Sequence, residues 1–124
     1  GLGTLESLVL LYCLLAKHAI ADLLIQSIRK PGDKTNFKDP KGYLHALDHG
    51  ILTALVVYFL TYNVSDAIIV GVADTLLHYT IDYIKSTISK RNKLTTEHKK
   101  FWALQAVDQL AHYTCYFGIA IYLL

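Results

Sequence analysis

Residues 71–85 read GVADTLLHYTIDYIK. Within them Asp74, His78, Asp82 and Lys85 follow at steps of four, four and three, which traces one narrow line along an α-helix. Val72, Leu76, Leu77, Tyr79, Ile81 and Ile84 cover most of the remaining circumference. A soluble surface helix has an apolar stripe and a broad polar face. Here the proportions are inverted. A helix that is apolar outside with one polar line suits lipid, with that line turned toward the interior of a bundle. The same pattern recurs on either side. Between Leu8 and Ile28 the strongly polar residues are Lys17, His18, Asp22 and Gln26, and near the C-terminal end they are Gln105, Asp108, Gln109 and His112.

Breakers and caps divide the chain into four segments at about 4–29, 41–62, 66–91 and 97–124. Pro31-Gly32 closes the first, Asp39-Pro40 opens the second, and Asn63-Val64-Ser65 reads as a tight turn with Ser65 as N-cap. Thr95 or Thr96 can cap the fourth. Each segment can cross a hydrocarbon core of roughly 30 Å at about 1.5 Å per residue. The expected fold is therefore all-α: an integral membrane four-helix bundle, one multi-pass transmembrane domain over residues 1–124, both termini on one side. No segment runs about 18 residues without a charge, so a buried soluble four-helix bundle is the competing reading.

Composition agrees without deciding. Of the 124 residues, 53% are apolar and 18% charged, against about 45–50% and about 25% in ordinary soluble domains. The net charge of +2 gives no reason to expect nucleic acid as a partner. Cys13 and Cys115 lie inside apolar segments without CxxC spacing, which argues against a disulfide framework or a thiolate zinc site. The apolar start has neither a basic n-region nor a small-residue cleavage site, so no removable signal peptide is expected.

Placement of charge is more informative. The first connection carries Arg29, Lys30, Lys34, Lys38 and Lys41; the third carries Lys90, Arg91, Lys93, Lys99 and Lys100; the second connection and both ends carry none. By the positive-inside rule the basic loops are cytoplasmic and the termini face outward. Trp102, Tyr43 and Tyr83 would then lie near the inner interface, Tyr62 and Tyr122 near the outer one.

Counted from the cytoplasmic ends, most of the ionisable residues fall in one layer. The spacing is i,i+4 throughout: His18/Asp22, His45/His49, Asp74/His78/Asp82, Asp108/His112. That spacing sets two ligands on one face of a helix, so both can reach one metal ion. The expected metal residues are His18, Asp22, His49, Asp74, His78, Asp82 and His112. Gln26, Gln109 and His45 are expected to orient them. Imidazole with carboxylate suits zinc first, then manganese or iron. The bland alternative is a hydrogen-bonded network that holds helices together. A bis-histidine haem site would leave the aspartates unexplained. Asp108 is the candidate general base, and Lys85 either binds an anionic group or snorkels. Lys17 has no evident role beyond pairing with an interior aspartate. Gly71 and Gly118 are candidates for close helix approach, while Asp48 and His98 fall off the polar lines.

The series His18-x-x-x-Asp22-x-x-x-Gln26, His49, His78-x-x-x-Asp82-x-x-Lys85 and Asp108-Gln109-x-x-His112 resembles the motifs of the domain-of-unknown-function 3307 family, and the likeness spans essentially the whole chain. Lys38 fits that family's basic loop; Lys17 and His45 have no place in its pattern. The resemblance implies a small multi-pass protein of the bacterial inner membrane, or of a phage-infected cell, with a polar centre and no assigned reaction. A looser similarity is to bacterial inner-membrane metal-dependent hydrolases. Three functions follow as expectations. One is a metal-dependent hydrolase of an anionic phosphoester or lipid substrate. Another is a non-catalytic membrane subunit, assembling with itself or a larger membrane complex. The last is a proton or metal-ion conduit. Membrane lipids are the expected partners.

Overall fold

The computed structural model describes residues 1–28, 35 and 39–124. Arg29, Lys30, Lys34, Lys38 and the Pro31-Gly32 stop lie outside the described residues. Four helical rods make up the fold: α1 (Thr4–Ile28), α2 (Pro40–Thr61), α3 (Val64–Arg91) and α4 (Lys99–Leu123). α1 is continuous but winds wider over Ile20–Ile25, a π-helical stretch. Such stretches are uncommon and often sit at functional sites; this one carries Asp22.

The helix ends follow local chemistry, with two corrections to the sequence reading. Asp39 caps α2, its carboxylate accepting from the Lys41 N–H at 3.0 Å, with Pro40 in the first turn, where its missing N–H costs nothing. The cap of α3 is Asn63 rather than Ser65: its Oδ1 accepts from the Asp66 N–H at 3.0 Å, so the helix begins at Val64. The preceding turn is made by Tyr62 in the left-handed region, φ 52°. α4 begins at Lys99, because residues 95–98 close a turn in which the Thr95 N–H donates to His98 Nδ1 at 3.0 Å. His98 stays there, away from the interior.

α1, α2 and α3 are each long and apolar enough to cross a membrane. α4 has the length, 25 residues, but Gln105, Asp108, Gln109 and His112 dilute its hydropathy. Large apolar side chains such as Leu5, Leu23, Phe59, Leu76, Val107 and Leu110 are exposed around all four rods. The interior is mixed. Among the described residues, ten buried side chains are apolar and ten are polar or charged. They are segregated along the bundle. Leu10, Leu14, Val57, Ala67, Val70, Tyr116, Ala120 and Leu123 form an apolar core at the end that holds both termini, where the Leu2 N–H donates to Leu123 O at 2.8 Å. The polar side chains fill the other half.

α2 and α3 cross closely at Gly50 and Gly71. A Cβ on Gly71 would lie 2.9 Å from Ala54 Cβ and 3.0 Å from Gly50 O. Gly118 does not act this way, since a Cβ there meets nothing within 4 Å. It borders an apolar surface groove beside Ile69 and Cys115.

Candidate metal centre

Each rod delivers its polar line to one place. α1 supplies His18 and Asp22, α2 His45 and His49, α3 His78 and Asp82, α4 Asp108 and His112. Three overlapping groups have ligand atoms within 4.8 Å of one another: His18, Asp22, His49 and His78; His45, His78 and Asp82; Asp82, Asp108 and His112. All are buried except Asp22, whose side chain is 25% exposed. Two ligands on one tetrahedral ion at about 2.0–2.2 Å stand roughly 3.3–3.6 Å apart. The observed pairs bracket that spacing: His18 Nε2 to Asp22 Oδ2 3.1 Å, His45 Nε2 to Asp22 Oδ1 3.3 Å, His45 Nε2 to Asp82 Oδ2 3.7 Å, His112 Nε2 to Asp82 Oδ1 3.7 Å, and His112 Nε2 to Asp108 Oδ1 3.3 Å.

The imidazoles of His49, His78 and His112 stack in a column, with centroids 3.5 Å and 3.8 Å apart and rings within 20° of parallel. His78 is the middle ring. It is 1% exposed, and neither of its nitrogens has a hydrogen-bond partner. Buried polar atoms in folded proteins are nearly always paired, and an exception calls for a cause such as a bound ion. Asp108 Oδ1 is a second buried atom without a hydrogen bond; His112 Nε2 faces it, but in a geometry that makes none.

Around the ligands stands a shell of orienting groups. Tyr116 Oη is 2.7 Å from His18 Nδ1, and Gln109 Oε1 is 3.1 Å from His18 Nε2. Gln109 also donates to Asp108 Oδ2 at 3.1 Å and accepts from Tyr113 at 3.2 Å. Gln26 Nε2 lies 3.0 Å from His45 Nδ1 and 2.6 Å from His45 Nε2. Gln26 and Gln109 thus contact members of the ligand groups, and His45 stands in one of those groups itself. Tyr116, Tyr113 and Thr53 are participants that sequence reading did not single out.

Asp74 belongs to a different constellation. Lys17 Nζ lies 2.9 Å from its Oδ2, and the Thr53 hydroxyl donates to the same oxygen. The Lys17 ammonium is also 3.1 Å from His49 Nδ1 and 4.6 Å from the centre of the Tyr116 ring. Asp74 is thereby removed from the ligand set expected for it, and Lys17 receives the partner it lacked. There is a consequence for His49. An ammonium can only donate, so Nδ1 accepts and the ring proton sits on Nε2, which donates to Asp22 Oδ1 at 2.8 Å. In that state His49 aims the carboxylate rather than binding an ion.

Lys85 sits at the opposite end of the layer, 3.4 Å from Asp108 Oδ2 and 3.5 Å from Gln105 Oε1. Asp48 enters none of the ligand groups. A groove of about 710 Å³ opens between α1 and α4, walled by Leu11, Leu15, Leu23 and Phe117, with His18, Asp22, Gln109 and Tyr113 also lining it. A smaller one of about 210 Å³ between α3 and α4 reaches Lys85 and Asp108.

Over residues 9–124 the chain matches the family described as protein of unknown function (DUF3307), and it belongs to that family. No curated protein and no solved structure matches it.

Proposed function

We propose that this member of the DUF3307 family is a multi-pass membrane protein of the bacterial inner membrane, or of a phage-infected cell, that holds a divalent transition metal ion at its His/Asp centre. Zinc is the first choice, and the centre hydrolyses an anionic phosphoester or lipid. The observation that carries this reading is His78: a fully buried imidazole, both nitrogens without hydrogen bonds, amid ligand-capable atoms from four helices. A purely structural network would leave that ring as its costliest member, since an unsatisfied buried polar group costs about 1–3 kcal/mol. The exposed apolar girdle supports insertion in lipid, and the basic segment 90–93 supports a cytoplasmic face for the end opposite the termini.

The chemistry follows from the donors. A metal ion lowers the pKa of a bound water and polarises a phosphoryl or carbonyl oxygen. In such a hydrolysis a carboxylate of the centre would take one proton from the attacking water as its oxygen bonds to phosphorus or carbon, and would return it to the leaving oxygen as the ester bond breaks. The groove between α1 and α4 suits such a substrate: an alkyl chain can lie along Leu11, Leu15 and Phe117 while the polar end meets Asp22 and His18.

The Lys17–Asp74–Thr53 group favours a second reading, a membrane subunit whose interior polar network serves assembly, because these residues are fully partnered without an ion. Elemental analysis of detergent-purified protein separates the two. The hydrolase reading expects stoichiometric metal, its sharp reduction in His78→Ala, and metal-dependent turnover of phosphoester or lipid substrates. Metal-free, chelator-insensitive wild-type protein would end it.

A further inference from the structure

The ligand groups are too many for one ion. A zinc ion takes four ligands, whereas eight buried or half-buried His and Asp side chains converge here, in groups that share members. Asp82 is the hinge between them. Its Oδ2 faces His45 Nε2 and its Oδ1 faces His112 Nε2, both at 3.7 Å. A carboxylate that presents its two oxygens to two separate imidazoles has the arrangement of a bridging ligand. On one side of it lie His45, His78 and Asp22, with Asp22 Oδ1 3.3 Å from His45 Nε2. On the other lie His112 and Asp108, 3.3 Å apart. Each side also contains a buried atom that lacks a hydrogen bond: the nitrogens of His78 on the first, Oδ1 of Asp108 on the second.

We propose that the centre binds two divalent ions joined by Asp82. Asp22, His45 and His78 complete the first site, Asp108 and His112 the second. The proposal rests on the metal reading above and specifies it further: Asp108 becomes a ligand in place of the general base its sequence position suggests, and His18 and His49 orient Asp22. Ions sharing a carboxylate in this way stand about 3.5–4 Å apart, the spacing at which two metals clamp the attacking and leaving oxygens of a displacement.

The test is metal stoichiometry with a spectroscopic check. Full-length protein, purified in detergent and reconstituted with manganese(II), is analysed for metal per chain and by electron paramagnetic resonance. The expected result is two ions per chain with an exchange-coupled spectrum. His112→Ala should retain one ion and show only the isolated-ion signal. Asp82→Asn, whose amide is a poor bridge, should abolish the coupling. Helicity and monodispersity identify variants that fail to fold, and the wild-type measurement decides without them. One ion per chain, or two without coupling, overturns the dinuclear centre and leaves the metal reading standing. No ion overturns both.

Discussion

Lys17→Met is the substitution whose cost the structure sets most directly. The Lys17 and Asp74 side chains are 4% and 2% exposed and 2.9 Å apart. Removing the ammonium leaves the Thr53 hydroxyl donating to the Asp74 carboxylate, with no positive charge beside it. Breaking a buried ion pair from one side costs about 3–5 kcal/mol, because the surviving charge stays buried. The lost cation–π contact with Tyr116 falls within that range rather than adding to it. At about 1.4 kcal/mol per decade, the folded-to-unfolded ratio should fall by roughly a hundred- to several-thousand-fold. Lys17→Met/Asp74→Leu, which removes both charges and keeps the branching of the side chains, should recover most of this, since apolar replacements of buried pairs are often neutral or stabilising. The assay is reversible unfolding in mixed micelles for the two singles and the double, with the coupling taken from the cycle. A cost below about 1 kcal/mol for Lys17→Met would show that the lysine reaches water, and the account of a sealed polar interior would fail.

Three further outcomes are expected. Gln109→Ala should lower metal affinity about 10–100-fold without removing the site, because Gln109 touches His18 and Asp108 rather than belonging to a ligand group; titration against a chelator measures it, and complete metal loss would make Gln109 a ligand. Gly71→Val should destabilise the α2–α3 crossing by about 1–3 kcal/mol, whereas Gly118→Ala, with open space at its Cβ, should be neutral or stabilising by up to about 1 kcal/mol; thermal unfolding reads both. In a cysteine-free background in cells, a cysteine at Asn63 should react with an impermeant reagent added outside and one at Asn92 should not. The reverse result inverts the topology, and reaction at neither in intact cells but at both after lysis favours a soluble bundle.

How much of this was legible depended on whether the signal lay within one helix or between two. The four rods and the convergence of His18, Asp22, His49, His78, Asp82, Asp108 and His112 could be read because a period near four puts each set on one face, and a helix apolar elsewhere must turn that face inward. Continuing the same arithmetic would have found two more participants. Thr53 follows His49 by four, and Tyr116 follows His112 by four; both sit on the polar line and contact its members. The pairing of Lys17 with Asp74 spans 57 residues and depends on how α1 and α3 are staggered, which no single-helix periodicity specifies. For the same reason Asp74 looked like a ligand: it shares the face of His78 but lies one turn nearer the apolar end. The widened turn at Ile20–Ile25 contains no Gly or Pro to announce it. The start of α3 is ambiguous in the sequence because Asn63 and Ser65 are both good caps; the left-handed Tyr62 makes Asn63 the residue that can reach the free N–H groups.

The stagger also bears on the conduit reading. α3 serves as a ruler, since four residues advance about 6 Å along a helix. Lys85 and Asp82 mark one end of the polar layer, His78 its middle, and Asp74 its floor, where Lys17 and Thr53 cancel the carboxylate. The next turn is Val70, and around it Leu10, Leu14 and Val57 are buried to 0% exposure, with Ala67, Ala120 and Leu123 close behind. A path for protons or metal ions needs polar groups or water across the whole hydrocarbon thickness. Here the polar line runs through half of the interior and ends against packed aliphatic side chains. A neutralised ion pair at the boundary offers no onward acceptor. An interior that is polar at one end and sealed at the other has the form of a site that ions and substrates enter and leave by the same face or by the lateral grooves. That form suits the proposed hydrolytic centre better than a conduit, and the groove beside Asp22 would be its opening.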